Sequence, residues 1–480
     1  MDIFNFIVVI LFVLNMLLAL LLIFIERRNP TSTWAWLVIL LILPGIGFVL
    51  YLFLGQNFHR QKMFELKTEE DTLHKKLLLQ NEELIESKLV PNDSKTQRYL
   101  DMIRMNYTYS NSLYTQNNSV KIFIDGNEKF NFLLEDINNA THHIHIGYYI
   151  YKQDKIGNEI LEALIKKAKK GVKVRLLYDA MGGRTIGKHF FDGLKDAGGQ
   201  VAIFFPSKIP HFNIRVNYRN HRKIAVIDSK ISYVGGFNIG DEYLGRSKKF
   251  GNWRDTHLRL CGDVVDGLQK RFLLDWRYAS DEKIHFEQKY FKLKDQCGTT
   301  GIQIVSSGPD SVEQEIKNGF LKMIQKAQKS IYIQSPYFVP DDSIIESLRI
   351  ASLSGVDVRI MIPHMPDHPF VYWATYSYVG ELLKAGVKSY KYNNGFLHSK
   401  TIVVDGEIAT VGTANMDIRS FKLNFEVNAF IYDHDVAGEL QKIFIEDMKC
   451  CEEITEELYK NRSRIIQIKE SISRLLSPIL

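Results

Sequence analysis

Two runs near the N-terminus carry no charged side chain. The first, residues 3–25, has only Asn5 and Asn15 as markedly polar positions; the second covers residues 34–54. Each exceeds the roughly 18 residues that carry a helix across a bilayer. Trp34, Trp36 and Tyr51 stand near the ends of the second run, where interfacial aromatics belong. The pattern predicts a two-span membrane hairpin over residues 1–56, with Pro44-Gly45 able to kink the second span or turn it back. A cleavable signal is disfavoured, because Met1-Asp2 offers no Lys or Arg and the apolar run is too long. The short link 26–33 places everything after Gly55 on the same side as Met1. Residues 57–111 then turn polar and read as a partly helical connector, with a charged helix over 71–87.

From residue 112 the pattern changes to short alternating runs, and it repeats. Ser119-Val120-Lys121-Ile122-Phe123-Ile124 before Asp125-Gly126 returns as Gly301-Ile302-Gln303-Ile304-Val305 before Ser306-Ser307-Gly308. His143-Ile144-His145-Ile146-Gly147-Tyr148-Tyr149 is similar to Ser330-Ile331-Tyr332-Ile333-Gln334-Ser335-Pro336-Tyr337. A helical stretch follows each, ending in Gly171-Val172-Lys173-Val174 and in Gly355-Val356-Asp357-Val358. Glycine at a helix end before a β-branched run marks a helix-to-strand transition. Strand and helix therefore alternate twice over, which predicts two similar α/β domains, 112–290 and 291–435, and a C-terminal helical tail, 436–480.

Composition adds little to this. In 480 residues, 45% hydrophobic and 24% charged describe a folded chain, not a disordered one. The net charge of +6 has the sign that suits a phosphate-bearing partner, and a solvated surface accounts for it equally. Cys261, Cys297, Cys450 and Cys451 form no C-x-x-C pair and suit neither a zinc knuckle nor a disulfide framework. They are expected as free thiols in a reducing compartment, with the catalytic body facing the cytoplasm. The basic residues Arg27 and Arg28 in the link, against Arg60, Lys62 and Lys67 beyond the second run, lean the same way.

The chemistry sits in a doubled motif. Asn220-His221-Arg222-Lys223-Ile224-Ala225-Val226-Ile227-Asp228 and Leu397-His398-Ser399-Lys400-Thr401-Ile402-Val403-Val404-Asp405 both read H-x-K-x4-D. Asn238 and Asn415 each follow 17 residues after the motif histidine, and Gly235 and Gly412 each follow 7 after the aspartate. In a strand, residues two apart share a face, so His221 with Lys223 and His398 with Lys400 are expected to point together. The aspartates fall at a turn, and the returning strands 231–235 and 408–412 are expected to bring each asparagine back beside its histidine. Glu426 lies 28 residues after His398 and Asp255 lies 34 after His221, so each half offers a carboxylate to fix its histidine's tautomer and raise its basicity.

Two such motifs, with the trailing Gly and Asn, resemble the phospholipase D superfamily over residues 112 to 435. The uncharged N-terminal runs, the Ser306-Ser307-Gly308-Pro309 turn and Leu476-Ser477-Pro478 resemble bacterial cardiolipin synthases in particular. The resemblance implies that the two halves pack about a pseudo-twofold axis and bring both motifs into one pocket. It implies double displacement: one phosphatidylglycerol donates its phosphatidyl group to His221, with His398 as acid, and a second accepts it. Lys223, Lys400, Asn238 and Asn415 would bind the phosphate oxygens, with no metal and no cofactor, while Asp228 and Asp405 orient the motif. The expected partners are phosphatidylglycerol and other anionic lipids of the cell membrane, not nucleic acid. The rival readings are a hydrolytic phospholipase D, a nuclease of the same superfamily, and a non-catalytic protein that binds anionic lipid.

Two further signals are weighed. His142, His143 and His145 invite a metal, but no Asp, Glu or Cys stands beside them at ligand spacing, and a packed or substrate-lining strand is favoured. Ile465, Ile466, Ile468, Ile472, Leu475 and Leu476 recur at helical spacing among Arg464, Lys469 and Arg474. That helix suits an anionic membrane surface and suits packing against the body.

Overall fold

A computed structural model of the chain describes residues 3–24, 30–43, 47, 51, 90–206, 217–280, 282, 290–291, 296–311 and 313–477. The chain divides into two compact units, residues 1–67 with 207–218, and residues 68–206 with 219–480.

In the first unit the uncharged runs form helices over Ile3–Phe24 and Pro30–Ile42. The second helix stops two residues ahead of Pro44, because the residue before a proline is pushed out of the helical region. Asn15 Nδ2 donates to the Leu40 carbonyl at 3.3 Å, and Leu18, Leu40 and Tyr51 bury together. Side chains of the helix Ile3–Phe24 are described only in part. Among the described residues no helix is long and apolar enough to cross a membrane, so the two expected spans are not established. The charged helix expected over 71–87 lies outside the described residues.

The second unit holds both repeats. The first contributes β1 (Tyr114–Phe123), β2 (His143–Tyr148), β3 (Lys173–Asp179), β4 (Gln200–Phe204), β5 (Arg219–Asn220), β6 (Ile224–Ile227), β7 (Ile231–Gly235), β8 (Trp253–Arg254) and β9 (His257–Gly262). The second contributes β10 (Thr300–Ser307), β11 (Ser330–Gln334), β12 (Phe338–Val339), β13 (Asp357–Pro363), β14 (Lys388–Tyr392), β15 (Phe396–Leu397), β16 (Thr401–Val404), β17 (Ile408–Gly412), β18 (Met416–Asp417), β19 (Asn424–Tyr432) and β20 (Cys451–Glu453). One sheet runs β20-β14-β13-β11-β16-β17-β19-β10-β1-β9-β7-β6-β2-β3-β4. Outward from the β10–β1 pair, the order of equivalent strands is the same in both directions. That central pair is antiparallel, with Tyr114 opposite Gln303.

Local sequence explains the matching halves. Gly171 and Gly355 take φ of +83° and +93°, and Val172 and Val356 donate back to Lys167 and Ala351, so both helices end in the same left-handed stop. Each apolar strand is covered by amphipathic helices. Ile144, Ile146, Val174 and Leu176 centre one core; Ile331, Ile333, Val358 and Ile360 centre the other. Residues 94–110 of the connector join the second core through Tyr99, Met102 and Ile103.

Two expectations are corrected. Residues 436–480 are not only a helical tail, since β20 extends the sheet by pairing antiparallel with β14. The cysteines are not all free: Cys261, on the last strand of the first half, and Cys297, just before β10, form a disulfide with Cα atoms 6.0 Å apart. Only Cys450 and Cys451 remain thiols, so cysteine usage no longer argues for a cytoplasmic body.

Candidate active site

Both H-x-K triplets lie immediately before their strands, not within them as the alternation suggested; β6 begins at Ile224 and β16 at Thr401. Their position comes from the opposite half. Strand β5 pairs in parallel with β19, setting Asn220 against Phe425, and the His221 amide donates to the Phe425 carbonyl at 2.9 Å. Likewise β15 pairs with β8, setting Leu397 against Arg254, and the His398 amide donates to the Arg254 carbonyl at 2.7 Å.

This register exchanges the carboxylates. His221 Nδ1 lies 2.9 and 3.0 Å from the two oxygens of Glu426, which belongs to the second half. His398 Nδ1 lies 2.6 Å from Asp255 Oδ2, in the first half. Sequence spacing had given each histidine the carboxylate of its own repeat. The correction follows from strand pairing across the halves, which spacing along the chain does not encode.

With Nδ1–H held by a carboxylate, Nε2 is the nitrogen that faces outward chemistry. The imidazoles keep 12% and 10% exposure while both carboxylates have none, so a substrate can reach the rings and not the acids behind them. Burial pushes His221 down to about 4 against the pull of Glu426, and it does the same to His398 against Asp255, with Lys400 adding to the fall. Both rings are therefore neutral near pH 7. Burial would raise Glu426 and Asp255, but the facing histidines and lysines outweigh it and hold both below the usual carboxylate range. Lys223 is pushed down to about 7 and Lys400 to about 8, chiefly by burial. The Lys400 charge reaches His221 and the Lys223 charge reaches His398, so the two motifs share one electrostatic field.

The other expected residues separate into two groups. Asp228 and Asp405 stand at the far ends of their strands, seven residues or roughly 23 Å of extended chain from the histidines. Asp228 accepts from the Thr141, His142 and His143 amides, and Asp405 from those of Gln328, Lys329 and Ser330. Both have φ near +55°, and their carboxylates pin the turn to the start of β2 or β11. This geometry removes them from the reacting centre. Asn238 accepts from the Ile150 amide at 3.1 Å and donates to the Tyr243 hydroxyl at 3.2 Å, so its own chain occupies both ends of the amide. Asn415 is buried with its side-chain oxygen unpartnered.

Several residues escaped sequence reasoning. Arg222, the variable position of the first motif, binds Asp275 at 2.6 Å, the Glu426 carbonyl at 3.0 Å and the Ser307 carbonyl at 3.1 Å, and so fastens one half to the other. Its counterpart Ser399 meets Thr256 at 2.7 Å. Gly236 lies so close to the Asp255 carboxylate that a Cβ would collide with it. The pair Gly235-Gly236 was the available signal for a close approach. Tyr149 and Trp253 pack their rings against His221 and His398, at 5.0 and 5.2 Å.

His143 and His145 of β2, and His142 just before it, are built into the protein; His142 Nδ1 lies 2.7 Å from His143 Nδ1. His145 contacts Gln269 at 3.2 Å and Arg175 at 3.1 Å, and His143 contacts Ser229 at 3.3 Å. Among the described residues no group of three or more His, Cys, Asp or Glu is placed to hold a metal.

Comparison with known proteins gives consistent matches. Residues 133–253 and 320–448 match the family described as cardiolipin synthase, PLD-like domain, and residues 7–56 match the phospholipase D-nuclease N-terminal family. The chain is 51% identical to a cardiolipin synthase of Listeria welshimeri and 52% identical to the major cardiolipin synthase of Bacillus subtilis, covering all of each chain. It is 52% identical to a cardiolipin synthase of Staphylococcus aureus, over 98% of this chain and 95% of that one. The crystal structure of phosphatidylserine synthase from Haemophilus influenzae superposes with a TM-score of 0.61 at 15% identity, covering 81% of this chain and all of that one; at that identity it speaks for the fold alone.

Proposed function

Because the chain belongs to the cardiolipin synthase family of phospholipase D-like enzymes, we propose that it moves a phosphatidyl group from one phosphatidylglycerol to a hydroxyl of another, releasing glycerol. The observation that carries this reading is the crossed pair of histidine–carboxylate contacts, His221 with Glu426 and His398 with Asp255. His221 Nε2 attacks the phosphorus, a P–N bond forms, and the P–O bond to glycerol breaks as His398 gives that oxygen its proton. The hydroxyl of the second lipid then attacks the same phosphorus, its proton passes to His398, and the P–N bond breaks. His398 is neutral in the free protein, so it must take up a proton at Nε2 as the phosphate anion binds, the anion opposing the effect of burial.

Lys223 and Lys400 carry the charge that develops on the non-bridging oxygens. Asn415 assists, whereas Asn238 positions the loop at Ile150. Asp228 and Asp405 orient the motifs. The two halves act as one catalytic body about a pseudo-twofold axis, and the divisions near residues 112, 290 and 435 mark the repeats. The uncharged runs 3–25 and 34–54 supply a two-span anchor in the cell membrane; their lack of charge and the family match over 7–56 support this.

Single substitution tests the shared site. His221→Ala and His398→Ala are each expected to abolish transfer, and only His221 should carry acid-labile label from phosphatidylglycerol. Half the activity surviving in each variant would mean two independent sites.

A further inference from the structure

The helix Arg464–Leu475 is inside out. Glu470 and Ser473 are buried, at 3% and 1% exposure, whereas Ile465, Ile468, Ile472 and Leu475 are exposed at 66%, 58%, 49% and 82%. At 100° per residue those four share one stripe, opposite the face that holds Glu470 and Ser473. The inward face carries Glu470 and Ser473 with the half-buried Ile466 between them. Glu470 binds Arg462 at 2.7 Å and the Tyr459 hydroxyl at 3.0 Å, and Arg474 meets Glu381. A helix that only needed to cover the body would turn its isoleucines inward.

The helix lies parallel to Pro369–Leu383. Lys469 stands over the Trp373 ring at 5.1 Å and Arg474 over the Tyr378 ring at 4.5 Å, so equal steps along one helix match equal steps along the other. That register sets Ile465 level with the start of the partner helix, where Phe370 is 53% exposed. Asp367, in the loop ahead of that helix, accepts from Tyr337, and its charge reaches Lys400 of the second motif. The apolar stripe thus begins beside the loop that borders the catalytic groups.

Charge identifies the occupant. On the helix wheel Arg464 and Lys469 stand on opposite borders of the stripe, both exposed. The only acidic residue of the helix, Glu470, points inward and is paired. An apolar stripe edged by cations suits the boundary between head groups and acyl chains of an anionic bilayer.

We propose that Phe370, Ile465, Ile468, Ile472 and Leu475 form an interfacial face that rests on an anionic lipid surface and turns the catalytic groups toward the head groups. This goes beyond the transfer reaction, and binding can be read without turnover, so its failure is distinguishable from failure of the enzymatic reading. The full chain, with Cys450→Ser and Cys451→Ser, receives an environment-sensitive fluorophore at Ile468→Cys, at Ile472→Cys or at the off-stripe control Gln467→Cys. Each is placed in phosphatidylglycerol or phosphatidylcholine nanodiscs. The expected result is a blue shift and quenching by nitroxide-bearing lipid for the Ile468 and Ile472 probes in phosphatidylglycerol. Both effects should be smaller in phosphatidylcholine and absent at position 467. Adding Arg464→Gln and Lys469→Gln should remove the difference between the two lipids. Stripe probes that stay water-exposed in both discs overturn the proposal, and so does protection that needs no lipid but rises with protein concentration, which would make a second copy the occupant.

Discussion

Replacing Glu426 with Gln tests the crossed pairing directly. The substitution keeps the shape of a fully buried side chain, and a side-chain oxygen remains for the Asn424 amide that now donates at 3.1 Å. What it removes is the negative charge 2.9 and 3.0 Å from His221 Nδ1. A carboxylate there favours the protonated ring, and a hydrogen bond to a charged partner contributes about 1.5–3 kcal/mol. His221 already sits at about 4 because burial outweighs Glu426, so the variant should titrate lower still. The loss of basicity and of support for the positive ring in the transition state should lower kcat/KM by roughly 10–100-fold. Two readouts are needed: transfer kinetics, and histidine titration by NMR. His221 should shift while His398 stays in place, and Asp255→Asn should reverse the pattern. A shift at His398 in Glu426→Gln, or activity within threefold of the parent, would rule out the crossed pairing as the source of His221 basicity.

Further outcomes follow from the same contacts. Gly236→Ala drives a methyl group against the Asp255 carboxylate, so transfer should fall at least tenfold and thermal unfolding should show a loss of about 1–3 kcal/mol. Asp228→Ala leaves three backbone amides without their acceptor, which should cost about 2–4 kcal/mol while turnover per folded molecule is largely kept. The Asp228 carboxyl is held below its usual value, so the stability it lends is present above the unfolded pKa and disappears as pH falls through the folded one. Lys223 loses its proton as pH rises through about 7, so kcat/KM for phosphatidylglycerol should decline on the alkaline side, and Lys223→Arg should move that limb upward. If Lys223, Lys400 and Asn415, not a cation, carry the developing charge, EDTA should leave turnover intact; loss restored by one divalent ion would contradict this.

The repeat, the two motifs, the returning strands 231–235 and 408–412 and the glycine helix stops were all legible in the sequence, because each is a local pattern of period two or a turn signal. The exchange of Glu426 and Asp255 was not, since it depends on β5 adding to β19 and β15 to β8, short pairings between segments about 200 and 140 residues apart in sequence. The Cys261–Cys297 bond was hidden for a similar reason: no spacing rule marks a strand end and a linker as neighbours. Asp228 and Asp405 were legible as residues that orient the motif, but the means was not: each is a left-handed turn residue that gathers three backbone amides. The stripe on Arg464–Leu475 was visible as periodicity, but which face turned inward was decided by Glu470 and its ion pair, not by hydrophobicity.

A second lipid, not water, is expected to receive the phosphatidyl group. Purified full-length protein in phosphatidylglycerol vesicles, with and without excess glycerol, followed by lipid analysis, tests it most directly. One glycerol should be released per cardiolipin formed, with little phosphatidic acid, and added glycerol should reverse the reaction, as a phosphohistidine common to both directions requires. Phosphatidic acid as the main product, unaffected by glycerol, would contradict it.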